Sequence, residues 1–350
     1  MPSQPKLSVL DLSIVGEGSS HSEALSASVE LARAAERLGY HRHWVAEHHN
    51  MPGIASSSPP VLAATLAANT TTLRIGSGGV MLPNHPPLVV AEQFGMLEAL
   101  HPGRIDLGIG RAPGTDQITA AALRRSAEPL SDDDFPRQLV ELIGFFKGEF
   151  SERDPYRHVK AVPGNGDMPE IWLLGSSGYS AQLAGMLGMP FSFAHHFMPR
   201  NTDAALELYR NHFQPSEYLS EPHAMVACAA ICAADDERAR WLAGPARLSM
   251  ARLRSGRPTR FPTPEEAAEH AFTEAEEHSI SSLSGSAVIG GPDTVRDGLD
   301  ALAERTRADE LMLTTMVHDP ADRIRSYELI ADLYELPGAP VAAGGGTETR

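Results

Sequence analysis

The chain has 350 residues, 42% hydrophobic and 21% charged, the proportions of a globular protein able to bury a large core. Asp and Glu number 45 against 29 Lys and Arg, and a formal net charge of −16 repels phosphate backbones and speaks against a nucleic-acid partner. Two lone cysteines (Cys228 and Cys232), no run of eighteen apolar residues and no basic-then-apolar leader exclude a disulfide scaffold, a membrane span and a signal peptide, so the expected location is cytoplasmic.

One pattern recurs along the chain: a short β-rich apolar run, then an amphipathic helix. Residues 7–13 (LSVLDLS) read as the first strand. Residues 22–38 read as a helix with Leu25, Val29, Leu31, Ala32, Ala35 and Leu38 near helical spacing, closed by Gly39. The second strand is 43–47 (HWVAE), followed by a helix at 60–69 with proline in its first turn. Residues 73–82 (LRIGSGGVML) and 87–100 give the third strand and helix. Residues 104–110 (RIDLGIG) are the fourth strand, with helical stretches through about 146. The fifth strand is 170–174 (EIWLL) with a helix at 179–187, and the sixth is 191–194 with a helix near 203–213. The seventh is 224–233, the eighth 310–316 (ELMLTTM), and a last helix runs from about 320 to 334.

Strands alternating with helices predict parallel pairing through right-handed crossovers, and eight strands close a barrel filled by its own side chains. The expected fold is an α/β (β/α)8 TIM barrel, preferred over an open doubly wound sheet. About seventy-five residues separate the seventh and eighth strands, more than a crossover needs. Within this insertion, about 240–286, residues 262–277 read as helical and acidic and 279–286 (SISSLSGS) as small and flexible. Its place near the barrel mouth fits either a lid or a plain surface excursion. Residues 337–350 read as a disordered tail, which leaves 1–336 as one domain.

Barrel enzymes carry their chemistry on the loops after the strands. Those positions hold Ser13, then Glu47-His48-His49, Gly78-Gly79, Gly110-Arg111, Ser176-Ser177 with Ser180, His195-His196 and His318. The segment 175–180 (GSSGYS) offers hydroxyls and the N–H groups of the next helix to a phosphate, or is a plain turn with serine as the cap. Arg111 supplies the cation such a dianion wants. Gly78-Gly79 in a strand interior fits either a flat ligand against the backbone or a bulge. Fifteen histidines, with His41, His43, His48 and His49 close together, raise a metal-dependent hydrolase as the alternative. Adjacent strand residues face opposite sides, however, so His48 and His49 cannot both enter the barrel, and neither an HExxH helix nor a cysteine cluster is present. Residues 108–114 (GIGRAPG) miss the dinucleotide fingerprint, with proline at the third glycine, and a GxxxxGK[ST] loop is absent.

The runs 39–49 (GYHRHWVAEHH), 73–87 (LRIGSGGVMLPNHPP) and 91–114 (AEQFGMLEALHPGRIDLGIGRAPG) resemble the bacterial-luciferase-like, flavin-dependent monooxygenases. Residues 290–295 (GGPDTV) and 309–314 (DELMLT) are similar to the same family, and the likeness spans about 6–336. The resemblance implies a (β/α)8 barrel that binds reduced FMN at the strand carboxyl ends. It implies a peroxyflavin formed with O2 and oxygenation of a small apolar or aromatic substrate. It also implies a homodimer and a separate NAD(P)H-dependent flavin reductase.

His48 takes the place of the family's active-site histidine, with an unperturbed pKa near neutrality suited to proton exchange. Arg111 and the loop Ser176, Ser177, Gly178, Tyr179 and Ser180 take the place of the phosphate site. Ser13, Gly78, Gly79 and Gly110 at neighbouring strand ends belong with the cofactor. A non-proline cis peptide near the flavin would fall at Gly78–Gly79, where glycine lowers its steric cost. Light-emitting members carry cysteine where this chain has Gly110 and glutamate where it has Ser176, which argues against light emission and long-chain aldehydes. Relatives using a deazaflavin share the fold, and a flavin-binding relative without catalysis is a third reading. Met81, Trp172, Phe193 and Phe197 are either pocket lining or plain core.

Overall fold

The structure, a computed structural model, describes residues 4–112, 114–124, 134–281 and 286–338. Among them run nine strands: β1 (Lys6–Asp11), β2 (Arg42–Val45), β3 (Arg74–Met81), β4 (Ile105–Gly110), β5 (Glu170–Gly175), β6 (Phe191–Ala194), β7 (Ala224–Cys232), β8 (Ala287–Gly290) and β9 (Glu310–Thr314). The helices that follow β1 to β4 are α1 (His21–Leu38), α2 (Pro59–Ala68), α3 (Pro87–Leu100), α4 (Gln117–Arg124) and α5 (Asp134–Lys147). After β5 and β6 come α6 (Gly178–Leu187) and α7 (Thr202–His212). The long connection after β7 holds α8 (Asp236–Arg254), α9 (Pro264–Glu269), α10 (Glu274–Ser281) and α11 (Pro292–Thr306), and α12 (Pro320–Leu333) closes the chain.

Seven consecutive strands and β9 pair in parallel, and β7 meets both β6 and β9, so the expected eight-stranded barrel closes. The expected eighth strand is β9. An extra strand, β8, was not legible because it is only four residues of unexceptional sequence. Ala229 of β7 pairs with Ala287 of β8 and with Thr314 of β9, so β8 lies on the β7 edge that β6 leaves after Ala227. The segment 262–277 is two short helices instead of one, and residues 279–281 end α10 instead of forming a loose link. Residues 282–285 and most of the expected tail, 339–350, lie outside the described residues; Pro337 packs on Gly39 behind α1.

The pleat sorts the strand residues into two cores. Leu10, Trp44, Ala46, Trp172, Met225, Ala227 and Met312 fill the barrel, whereas Val9, Val45, Ile75, Leu107, Phe193 and Leu313 pack outward against the helices. Trp172 and Phe193 are thus core, as one of the two readings held. The amino end of the barrel is plugged by Arg42, which gives Nη1 to Asp106 at 2.8 Å and Nε to Glu310 at 2.9 Å. Trp44 Nε1 donates to the same Asp106 carboxylate at 2.8 Å. These charges are buried and held in ion pairs, with Glu310 Oε2 left without a hydrogen bond, and they fill the amino end of the barrel.

Candidate active site

β2 sets the floor of the site. Arg42, Trp44 and Ala46 point inward, so His48 continues the inward face while Glu47 and His49 turn away. His48 donates from Nδ1 to the Gly114 carbonyl at 3.4 Å, and its burial lowers its pKa. A carbonyl only accepts, so the neutral ring carries its proton on Nδ1 and presents a lone pair at Nε2. A cleft of about 480 Å³ opens beside it, with Leu25, Met51 and Ile54 as apolar walls and His21 and Asn50 among its polar ones.

Glu47 is fully buried and ties the site together. One oxygen accepts from His49 Nε2 at 2.9 Å and His85 Nε2 at 2.8 Å, and the other accepts from the Met81 N–H at 3.0 Å. Burial alone would raise its pKa, but the bonds from His85, His49 and Met81 outweigh that and lower it. The chemistry assigned to the Glu-His-His block therefore divides: one histidine faces the mouth, and the other two groups build a wall. Nothing local in the sequence pointed to His85, whose partner lies 38 positions away.

The third strand breaks register between Ser77 and Val80, and the Gly78–Gly79 bond there is cis. The bulge reading of that glycine pair holds. A Cβ on Gly79 would stand 2.6 Å from the Gly108 carbonyl oxygen, so no larger residue fits. Gly110 is hemmed by the Met81 sulfur.

Ser177 is the N-cap residue of α6, yet its side chain makes no capping bond, which sets aside the plain-cap reading. Arg111, exposed at the end of β4, lies over the Tyr179 ring at 4.7 Å and so joins the β4 end to the first turn of α6. Ser176, Gly178 and Tyr179 are partly exposed beside it, while Ser180 is buried and packs back on Gly175. Ser13 reaches the same rim in a left-handed conformation (φ 50°), but its hydroxyl is held 2.8 Å from Ser28 Oγ and it is fully buried. His318 packs on Gly16, and its Nε2 donates to the Glu17 carbonyl at 3.1 Å. Among the described residues no group of three or more His, Cys, Asp or Glu is placed to hold a metal ion.

The arrangement fits a flavin phosphate: a helix amino terminus its own cap residue leaves uncapped, an arginine beside it, and a thin glycine wall next to an inward histidine. Comparison with known proteins decides the family. The protein-family model for luciferase-like monooxygenases matches residues 6–310. The chain belongs to the luciferase-like monooxygenase family. It is 49% identical over 329 residues to a luciferase-like monooxygenase of Escherichia coli strain K12, covering 94% of this chain and 96% of that one. It is 35% identical over 331 residues to the N-acetyl-S-alkylcysteine monooxygenase of Bacillus subtilis strain 168, covering 93% and 97%. The crystal structure of apo-MsnO8 superposes with a TM-score of 0.84 at 38% identity, covering 96% of this chain and all of that one. The luciferase-like chain is thus an oxidoreductase, a flavin monooxygenase in general terms. No described helix is long and apolar enough to cross a membrane.

Proposed function

We propose that this luciferase-like protein uses reduced FMN and O2 to oxygenate a small apolar or aromatic organic substrate. The observation that carries the reading is the first turn of α6, uncapped by Ser177 and flanked by Arg111 on Tyr179. There the Ser176 and Ser177 hydroxyls, the N–H groups of Gly178 and Tyr179 and the Arg111 guanidinium would hold the FMN phosphate, with the helix dipole assisting. Gly78 and Gly79 would let the ring system approach the β3 wall. When bound, the flavin supplies the oxygen chemistry; the protein supplies position, a dry pocket and proton management. His48 takes up or returns a proton at Nε2 beside the cleft, and the Gly114 carbonyl fixes the tautomer that makes this possible.

The reduced cofactor would come from a separate NAD(P)H-dependent reductase, and the working unit is read as a cytoplasmic homodimer. The insertion after β7 is read as a lid. Phe261 exchanges backbone bonds with Val15 and Glu17 at 2.9 and 2.8 Å, which straps the insertion to the loop after β1 at the mouth.

The test is an anaerobic titration with reduced FMN and, separately, reduced deazaflavin, followed by mixing with 18O2 and a panel of small substrates headed by alkyl thioethers. Tight reduced-FMN binding with one 18O atom in the product supports the reading. Binding of deazaflavin alone, or product without 18O, overturns it. His48→Asn is expected to slow turnover with reduced-FMN affinity nearly unchanged; loss of binding instead removes the role given to His48.

A further inference from the structure

In the cyclic order of the barrel, β2 and β6 are four strands apart and stand on opposite walls. His48 points into the mouth from the first. On the second, Ser192 and Ala194 end the inward face of β6, and the turn that follows brings His196 against Ala227, a residue of the barrel interior. Its backbone N–H bonds to the Ala227 carbonyl at 3.0 Å, the acceptor that an unbroken β6–β7 ladder would give to His195, so the register shifts by one residue at the turn. Its Nδ1 donates to that same carbonyl, also at 3.0 Å, so ring and backbone are clamped on one acceptor. The neighbouring His195 turns the other way, with Nδ1 at 2.7 Å from Thr202 Oγ1.

As with His48, a carbonyl partner leaves the neutral His196 ring with its proton on Nδ1 and a lone pair at Nε2. Among the described residues neither Nε2 has a hydrogen-bond partner. Burial lowers the pKa of both rings, and the nearby His48 ring lowers that of His196 further. Two rings that keep an acceptor at Nε2 thus stand on opposite walls, with His196 within electrostatic reach of His48. An acceptor that an apolar guest covers loses its water without compensation, so the space between the rings favours a guest that brings a donor.

We propose that His196 is a specificity-determining residue: its Nε2, opposite His48, selects substrates that carry a hydroxyl or N–H donor beside their apolar body. The inference rests on the flavin-monooxygenase reading for the identity of the site. Phe197 and Met198, exposed next to it, offer apolar contact for the rest of such a molecule.

The experiment compares matched pairs, 4-methylphenol with 4-methylanisole and benzyl alcohol with benzyl methyl ether, by equilibrium dialysis against the protein loaded anaerobically with reduced FMN. The wild type is expected to take up the donor-bearing member about tenfold more tightly. H196N keeps an amide N–H for the Ala227 carbonyl and loses the Nε2 acceptor, so the preference should vanish. H195N should retain it. Equal uptake of both members by the wild type, including uptake of neither, overturns the proposal whatever the variants do. A preference that survives H196N, or disappears equally in H195N, also overturns it. Absence of reduced-FMN binding overturns the flavin reading and this inference together, whereas reduced-FMN binding with no donor preference removes this inference alone.

Discussion

At the scale of single residues, Glu47 and His195 make the clearest predictions. Glu47 is buried and accepts three hydrogen bonds, two of them from histidines. A neutral amide replaces one accepting oxygen with a donor facing donors, so Glu47→Gln is expected to cost about 2–3 kcal/mol of stability in urea unfolding. His195 is buried, and burial pulls its pKa from 6.5 to about 4. The unfolded chain then binds more protons than the folded one between those values. Stability therefore falls as pH drops from 6.5 towards 4, by at most about 3 kcal/mol for this group. His195→Gln should flatten that part of the stability–pH curve in thermal unfolding, while His48 and His196, shifted in the same direction, keep some of the slope. Neither role was visible in the sequence. The Glu-His-His block marked the place, but which side chain faced the mouth depended on the pleat, and the partners His85 and Thr202 became partners only through folding.

At the scale of elements, the decisive one is α6 with the end of β4. The GSSGYS run carried both a phosphate reading and a plain-cap reading, because serine before a helix is consistent with either. In the structure the Ser177 side chain makes no capping bond, which speaks against the plain cap and leaves the phosphate reading as the proposal. A charge-assisted contact from Arg111 to the phosphate predicts that Arg111→Gln weakens reduced-FMN binding about ten- to hundredfold, from a contribution of about 1.5–3 kcal/mol. Reduced riboflavin, without a phosphate, should bind the variant and the wild type alike in the same fluorescence titration. Equal loss for both ligands would place Arg111 elsewhere than at the phosphate. The strand β8 teaches the complementary lesson. Four residues carry too little periodicity to be read, and their strand character comes from the β7 edge they happen to meet.

At the scale of the molecule, α2 and α3 are apolar on their outer faces as well as their inner ones. Val61, Thr65 and Ala68 form the exposed stripe of α2, and Val89, Gln93, Met96, Ala99 and Leu100 that of α3, with the partly exposed Glu92 and Glu98 as the charges of these two helices. In a chain of net charge −16 this sparsely charged, largely apolar surface supports the homodimer reading. Leu100→Glu combined with Val61→Glu is predicted to convert a dimer to a monomer in sedimentation velocity, with helical content kept. A wild-type monomer, or a dimer untouched by both charges, would count against this face as the contact.

What the sequence by itself determined was the barrel and the family. These follow from the alternation of strand and helix periods and from local motifs, both of which are short-range properties of the chain. What only the tertiary structure decided was which way each side chain points and what it meets. His48 and His196 are 148 positions apart, yet a closed eight-stranded sheet sets them on facing walls. His85 and Glu47 likewise meet because neighbouring parallel strands end at one rim. Such pairings depend on strand order, register and closure, which no local pattern encodes.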